Sequence, residues 1–156
     1  MGGFYGPSGG GSSGGPTLVT VTKIVNTTRN SASPALAADP ELTFPTIQPG
    51  TYSLNGIIAF NSNPGQIQMQ LNAPSPGGGR CIYTWDSGSG SAPQSKGLNV
   101  TITDASAAND NTAILRAVLV LTVATTLTYQ WTNNVASMQT TLYIGSYLTL
   151  SIPPST

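Results

Sequence analysis

The chain has 156 residues and a mass of 16.0 kDa, which is enough for one domain with a sizeable hydrophobic core. Charged residues make up only 6% of it, five Lys and Arg balance five Asp and Glu, and His is absent. This composition excludes a basic surface for nucleic acid and removes the commonest general base and metal ligand. The single cysteine, Cys81, excludes an intrachain disulfide and a cysteine-cluster zinc site. We therefore expect no cofactor, no nucleic-acid partner and no enzymatic activity.

The low charge also bears on association. Soluble domains are normally kept apart by surface charge, and a net charge near zero favours association. The sequence therefore predicts an oligomer or a component of a larger assembly, with a monomer solubilised by neutral polar groups as the alternative. No secretory signal is visible, and the longest apolar stretch, Ala113–Ala124, is shorter than the roughly 20 residues of a membrane span. We expect synthesis in the cytoplasm and no membrane partner.

The first sixteen residues differ in composition from the rest. Residues 1–16 are rich in Gly and Ser and contain one aromatic pair, Phe4 and Tyr5, followed by Pro7. Aromatic side chains supply a large contact area with few rotatable bonds, which suits an anchor. We predict a flexible N-terminal arm whose Phe4, Tyr5 and Pro7 bind a partner, followed by one β domain over residues 17–156. A plain disordered tail or linker is the alternative.

From Thr17 onward the pattern is that of short strands. The predicted strands are Thr17–Val25, Thr51–Phe60, Gln66–Leu71, Cys81–Trp85, Leu98–Thr103, Ala113–Ala124, a strand through Leu127, Tyr129 and Trp131, and Thr140–Ile152 with Gly145 as a bulge or kink. Pro- and Gly-rich turns separate them. A helical turn around Ala35–Ala38 is the single helical feature expected. This pattern predicts an all-β protein, as an antiparallel sandwich or a barrel.

The segment Ala113–Ala124 is apolar on both of its faces, unlike a strand with one face in water. A buried helix is the rival interpretation, but the mixture of Val, Leu and Thr favours a strand. One face then fills the sandwich, and the other meets the edge of the second sheet or another copy of the chain. We prefer a homotrimer closed around this strand and its neighbours. The predicted subunit-interface residues are Leu115, Arg116, Val118, Val120 and Trp131.

Few side chains are candidates for catalysis or ligand binding. Asp39 and Glu41 are close in sequence, but Pro40 separates them and no His is available, so they are poor acid and base candidates. A glycosidase pair drawn from distant carboxylates stays open. Cys81 is interpreted as a small hydrophobe. Six aromatic residues could line a sugar-binding surface, although their alternation favours core or subunit packing: Tyr83, Trp85, Tyr129, Trp131, Tyr143 and Tyr147. A polar surface loop is preferred to a cation site for Asp104, Asn109, Asp110 and Asn111.

Two segments resemble a jelly-roll module of structural proteins from tailed bacteriophages and prophages. The first is Ala38–Pro45, with a DPEL-x-F pattern, followed by the Gly-Thr-Tyr strand start in Pro49–Tyr52. The second is Thr126–Asn134, similar to an LQWAQN strand, followed by the GSYL pattern in Ile144–Leu148. The resemblance covers roughly residues 17–152. This chain departs from that module in two ways: it has a long Gly/Ser arm, and it has Thr132 where a small apolar residue is usual.

The resemblance implies a trimeric, tumour-necrosis-factor-like β-sandwich on a virion, and it implies no catalytic residues. Modules of this kind decorate capsids or form tips and collars of tail fibres. We expect a capsid decoration or cement protein, assembled in the host cytoplasm, whose partners are copies of itself and the major capsid protein or another virion protein. A tail-fibre or tail-tip module that binds a receptor or glycan is the alternative. A hydrolase of cell-wall sugars is a third hypothesis.

Overall fold

A computed structural model describes residues 17–30, 35–62, 66–74, 80–87, 93–104, 110–135 and 138–152. The predicted arm, residues 1–16 with Phe4, Tyr5 and Pro7, lies outside these ranges. The described residues form twelve strands and no helix, and so confirm the all-β prediction. The strands are β1 (Thr17–Thr22), β2 (Thr27–Asn30), β3 (Ala37–Ile47), β4 (Gly50–Asn61), β5 (Ile67–Asn72), β6 (Arg80–Asp86), β7 (Gln94–Gly97), β8 (Ile102–Asp104), β9 (Asp110–Leu121), β10 (Thr125–Asn133), β11 (Gln139–Leu142) and β12 (Tyr147–Ile152).

The strands form two antiparallel sheets, so the structure is a sandwich rather than a barrel. The larger sheet has eight strands, six of them in the order β1-β12-β4-β9-β6-β7, with β11 joining β2 to the far end of β4. The smaller sheet has the order β3-β10-β5-β8. The longest pairing joins β4 and β9 in unbroken register, from Gly50 opposite Leu121 to Asn61 opposite Asp110. This ribbon forms the centre of the larger sheet.

The core lies between the sheets and is built from alternate residues of each strand, because successive side chains of a strand point to opposite faces. The alternate apolar residues of β4, β5, β6 and β10 are buried. In β9 the inward residues are Ala113, Leu115, Ala117, Leu119 and Leu121, all of them buried. The strand interpretation of this segment is therefore confirmed, and one of its two apolar faces fills the sandwich as predicted.

Three local predictions were wrong. The helical turn around Ala35–Ala38 is instead the start of β3, whose Ala37 and Ala38 pair with β10. β3 contains Pro40 and Pro45, which lack an N–H, and it accommodates them because it lies at the edge of its sheet.

The expected single strand Thr140–Ile152 is two strands, because Gly145 adopts a φ of 89° and turns the chain between β11 and β12. The expected strand Leu98–Thr103 begins only at Ile102. Asn99 has a φ of 60° and lies in a turn before this strand. Its side-chain amide accepts a hydrogen bond from the Ala73 N–H and donates one to the Ala73 carbonyl.

A buried aspartate lies on each edge strand of the smaller sheet. On β3, Asp39 Oδ2 accepts hydrogen bonds from Lys23 Nζ at 2.9 Å and from Trp131 Nε1 at 3.1 Å. On β8, Asp104 Oδ2 accepts one from Trp85 Nε1 at 2.6 Å. Lys23 follows β1 and Trp85 lies on β6, so both aspartates connect the smaller sheet to the larger one. These charge-assisted bonds tie the two sheets together at opposite edges of the sandwich.

Replacing Gly56 with Ala tests the close packing of β4 on β12. A Cβ at Gly56 would lie 2.5 Å from the Tyr147 carbonyl oxygen, which is backbone and cannot move aside cheaply. We expect Gly56→Ala to lower the free energy of unfolding by about 1–3 kcal/mol. The matched control is Gly97→Ala, since a Cβ there meets its nearest atom at an ordinary 3.7 Å. Urea unfolding of both variants makes the measurement, and equal losses would contradict the register of β4 and β12.

Candidate interaction surface

The outer face of the eight-stranded sheet exposes apolar side chains at its centre. β9 pairs with β4 on one side and with β6 on the other, so its outward side chains lie far from the edges of the sheet. We call the following residues, with their exposed fractions, the outer patch: Ile82 69%, Ile114 41%, Val118 58% and Val120 38%. Val118 lies between Ser53 and Ile82 in cross-strand register. Ile82, Val118 and Val120 lie together, and grouped exposed apolar side chains mark interaction sites more often than single ones do.

A row of polar residues crosses the sheet between the apolar rows. One residue from each of six neighbouring strands contributes to it: Thr20, Thr149, Asn55, Arg116, Thr84 and Ser95. Hydroxyl pairs at its two ends are hydrogen bonded, at 2.9 Å and 3.0 Å. Arg116 is the only charged residue of the row. The described residues form two ion pairs, both made by Lys23, so neither engages Arg116.

The outer face of the smaller sheet has the opposite character. Gln70 donates a hydrogen bond to Gln130 at 2.7 Å and accepts one from Thr101 at 3.3 Å, while Gln68 donates to Thr103 at 3.2 Å. Uncharged amides and hydroxyls therefore bond to one another across this face. A face of this kind suits contact with water. The two outer faces therefore differ: the larger sheet exposes apolar side chains at its centre, and the smaller sheet carries amides and hydroxyls that bond to one another.

A shallow groove of about 600 Å³ runs along the outer patch. Ile82, Val118 and Val120 form its apolar wall, and Asn55 and Arg116 its polar end. Cys81 also reaches the groove but is 6% exposed, and burial raises the pKa of its thiol to about 12. The thiol is therefore protonated at neutral pH and acts as a small apolar group, as predicted.

The structure separates the five predicted interface residues into two groups. It brings Arg116, Val118 and Val120 together on the outer face. Leu115 and Trp131 are fully buried within one chain, so they belong to its core and have no surface to offer a partner. Their places follow from strand parity: Leu115 alternates with Arg116, and Trp131 lies on the inward face of β10.

Sequence reasoning missed Ile82. The alternation of Cys81, Tyr83 and Trp85 on the inward face of β6 left Ile82 as an apolar residue on a face expected to be polar. Val118 and Val120 on β9 are likewise apolar residues at outward positions. Two adjacent strands with this irregularity point to one continuous surface.

Asp39 and Glu41 form an ion cluster with Lys23. Lys23 Nζ lies 2.9 Å from both Asp39 Oδ2 and Glu41 Oε2, and Asp39 Oδ1 accepts the Glu41 N–H at 3.1 Å. The hydrogen bond from Lys23 is the main cause of a Glu41 pKa below its usual range, and the Ile24 N–H adds to it. The cluster therefore keeps Glu41 ionised and holds it in place by structural contacts.

Arg29 extends this cluster toward Trp131. Its guanidinium lies 4.1 Å from the centre of the Trp131 ring and donates hydrogen bonds to the carbonyls of Ala37, Ala38 and Trp131. Burial is the main cause of a lowered Arg29 pKa. In the described part of the chain, no three His, Cys, Asp or Glu side chains are grouped to hold a metal ion. Within those same ranges, no helix is long and apolar enough to cross a bilayer.

Four of the six aromatic residues considered for sugar binding lie inside the sandwich. Tyr83, Trp85, Tyr129 and Trp131 are at most 2% exposed. Burial raises the pKa of Tyr83 and of Tyr129 above the ordinary range. The interpretation of these four as packing residues is confirmed, and they offer no ring to a carbohydrate.

The fold was compared with known proteins. No protein-family model matches the sequence, and no curated protein sequence matches it. Among solved structures the chain is similar to Eiger TNF from S. frugiperda, with a TM-score of 0.50 and 8% identity over 91% of this chain and 95% of that one. A structure of infectious bursal disease virus, Gt strain, aligns with a TM-score of 0.28 and 11% identity over 93% of this chain and 39% of that one, too weakly to support an argument. The likeness to Eiger TNF confirms the jelly-roll sandwich and extends to the fold alone.

Acid should weaken the Lys23 cluster through Glu41. Because the pKa of Glu41 is lower in the folded chain than in the unfolded one, its contribution to stability is present above the unfolded pKa and is lost as pH falls through the folded pKa. We expect Glu41→Gln to lower Tm at neutral pH, with the gap from the unmodified protein closing toward pH ~3. Thermal unfolding between neutral pH and that value measures it. A gap that stays constant with pH would contradict this assignment.

Proposed function

We propose that the protein is a non-enzymatic structural component of a bacteriophage virion, a homotrimeric capsid decoration or cement protein. Its partners in this proposal are two further copies of itself and the major capsid protein or another virion protein. The observation that carries the proposal is the outer patch, where exposed apolar side chains lie at the centre of the larger sheet. The resemblance to phage jelly-roll modules supplies the virion setting.

Self-association explains the outer patch better than a small ligand does. The groove is shallow and open rather than enclosed, whereas small-molecule sites bury most of their ligand. Flat apolar surface with a polar border is typical of subunit interfaces, whose fully buried centres are more apolar than the rest of the surface. In a closed trimer Val118 and Ile82 would lie against a neighbouring copy, and the polar row would lie beside them.

Arg116 sets a condition on that interface. A guanidinium that becomes buried between subunits needs a carboxylate or carbonyl partner, because an unpaired buried charge is strongly destabilising. No described residue of its own chain forms an ion pair with it, so in this proposal the partner group comes from a second copy. The same requirement would favour one register of association over others.

The low charge of the chain and the three arms that a trimer would carry support the cement role. Five positive and five negative residues leave little electrostatic repulsion between neighbouring copies. A trimer would present three N-terminal arms to the capsid, and linked weak contacts give firm attachment through a high effective concentration. The aromatic residues of each arm are its candidate anchors.

A charge in the outer patch tests the proposed interface. We expect Val118→Lys to lower the association constant of the trimer by at least about tenfold, since it would bury a second cation beside Arg116. The matched control is Thr112→Lys on the same strand, at an exposed position outside the groove. Size-exclusion chromatography with light scattering measures both. Unchanged mass for Val118→Lys, with the fold intact by circular dichroism, would refute an interface at this face.

Removal of the arm tests attachment. We expect deletion of residues 1–15 to abolish binding to phage heads while leaving the association of the β domain intact. A full-length variant with Phe4 and Tyr5 replaced by Ser separates loss of the aromatic anchors from loss of chain length. Co-sedimentation with undecorated heads of the cognate phage provides the measurement. Full decoration by the truncated protein would contradict an arm anchor, and saturable binding to host glycans instead would favour a tail module.

A further inference from the structure

A second apolar recess lies where the two sheets approach each other beside β1. It is a cleft of about 260 Å³ between β1 and β3. Its lining is almost entirely apolar and includes Val19, Phe44, Pro45, Ile47 and Ile152. The cleft is smaller than the roughly 300–1,000 Å³ of typical small-molecule sites. It is of a size to take one or two side chains of a peptide.

The cleft lies between two strand edges. β1 pairs only with β12, and β3 pairs only with β10, so each has one edge unpaired within the described part of the chain. Unpaired strand edges present free N–H and C=O groups that an extended peptide can bind. The cleft therefore offers main-chain hydrogen bonds beside pockets for side chains.

The chain itself supplies a suitable peptide at this place. Residues 1–16 enter β1 at Thr17, and Thr17 pairs with Ile152, which lines the cleft. The arm thus begins at the mouth of the cleft. Its large apolar side chains, apart from Met1, are Phe4 and Tyr5, and the segment that follows them is rich in Gly and Ser.

The arm is long enough to fold back onto the cleft. From Tyr5 to Thr17 there are about 12 residues, for which a Gly/Ser-rich chain has an r.m.s. end-to-end distance of about 17–21 Å. Such a linker can turn back along β1 without strain, and it holds its tip near the cleft at an effective concentration of the order of millimolar. Weak contacts are sufficient for binding at that concentration.

We infer that the cleft between β1 and β3 is a docking site for the aromatic tip of the chain's own N-terminal arm, Phe4–Pro7. The four residues after Ile152 start equally close, but they carry two prolines and no aromatic or long aliphatic side chain. Phe4 or Tyr5 would bury its ring against Val19 and Ile152, the partly exposed apolar side chains of the cleft. Pro7 would end the added strand, because it cannot donate a backbone hydrogen bond.

This inference goes beyond the proposed virion role and does not depend on it. If the arm also anchors the protein to a capsid, its tip has two alternative binding places. Docking on its own domain would then weaken attachment until the tip is released, and the two equilibria would be linked. Docking in the cleft is an event within one chain, so it can be tested on the purified protein.

Disulfide trapping tests the inference. The test protein carries Gly6→Cys and Thr46→Cys, which leaves both aromatic rings of the tip in place. Thr46 is exposed on β3 and lines the cleft. The matched control carries Gly6→Cys and Thr122→Cys. Thr122 is exposed at the same end of the sandwich, between Leu121, which pairs with Gly50, and Thr125, which pairs with Ile47. The native Cys81 stays in both because its raised pKa keeps it unreactive.

Oxidation at low protein concentration, followed on non-reducing gels, gives the result. We expect the intramolecular bond to residue 46 to form at least about tenfold faster than the bond to residue 122, because docking raises the local concentration of the tip. Equal rates would overturn the inference, since they indicate an arm that samples both places alike. A disulfide-linked dimer would also overturn it and would place the arm of a second copy in the cleft. A monomer that forms the fast bond would keep this inference while refuting the trimer.

Discussion

The structure depends on a strand that is apolar on both faces and stands in the middle of a sheet. β9 pairs along its length with β4 and β6, and its inward leucines fill the space between the sheets. A sandwich has only one interior, so the outward Val118 and Val120 cannot be buried by the same packing. Either they stay exposed to water, which is unfavourable in free energy for apolar side chains, or another surface covers them. The outer patch follows from this constraint, and the proposed trimer is one way to cover it.

Three of the charged side chains, those of Lys23, Asp39 and Asp104, are buried. Lys23, Asp39 and Glu41 form one cluster beside β3, and Arg29 stacks on the tryptophan that bonds to Asp39. Removing one member would leave a buried charge without its partner, which is far more costly than losing a surface pair. These contacts hold the edges of the sandwich together. The net charge of zero leaves little electrostatic repulsion between copies.

Much of the fold follows from strand periodicity. The alternation in β4, β5 and β10 is typical of strands with one face in the core, as observed. The two-faced pattern of β9 predicted that its second face meets the edge of the second sheet or another copy, and in one chain that face is exposed. β3 was missed because its two prolines and its Ala-rich start oppose a strand, and only pairing with β10 decides its conformation. Trp131 was placed at an interface because an isolated strand does not reveal which sheet covers it. The Lys23 cluster joins residues on different strands, so no local pattern could predict it.

The central proposal is that identical copies of the chain cover the outer patch. Sedimentation equilibrium of the unmodified protein over a range of concentrations tests it most directly. We expect a single species at three times the chain mass of 16.0 kDa, persisting on dilution. A species that stays at the mass of one chain at every concentration would show that the patch is left open to water, and it would contradict the proposed trimer.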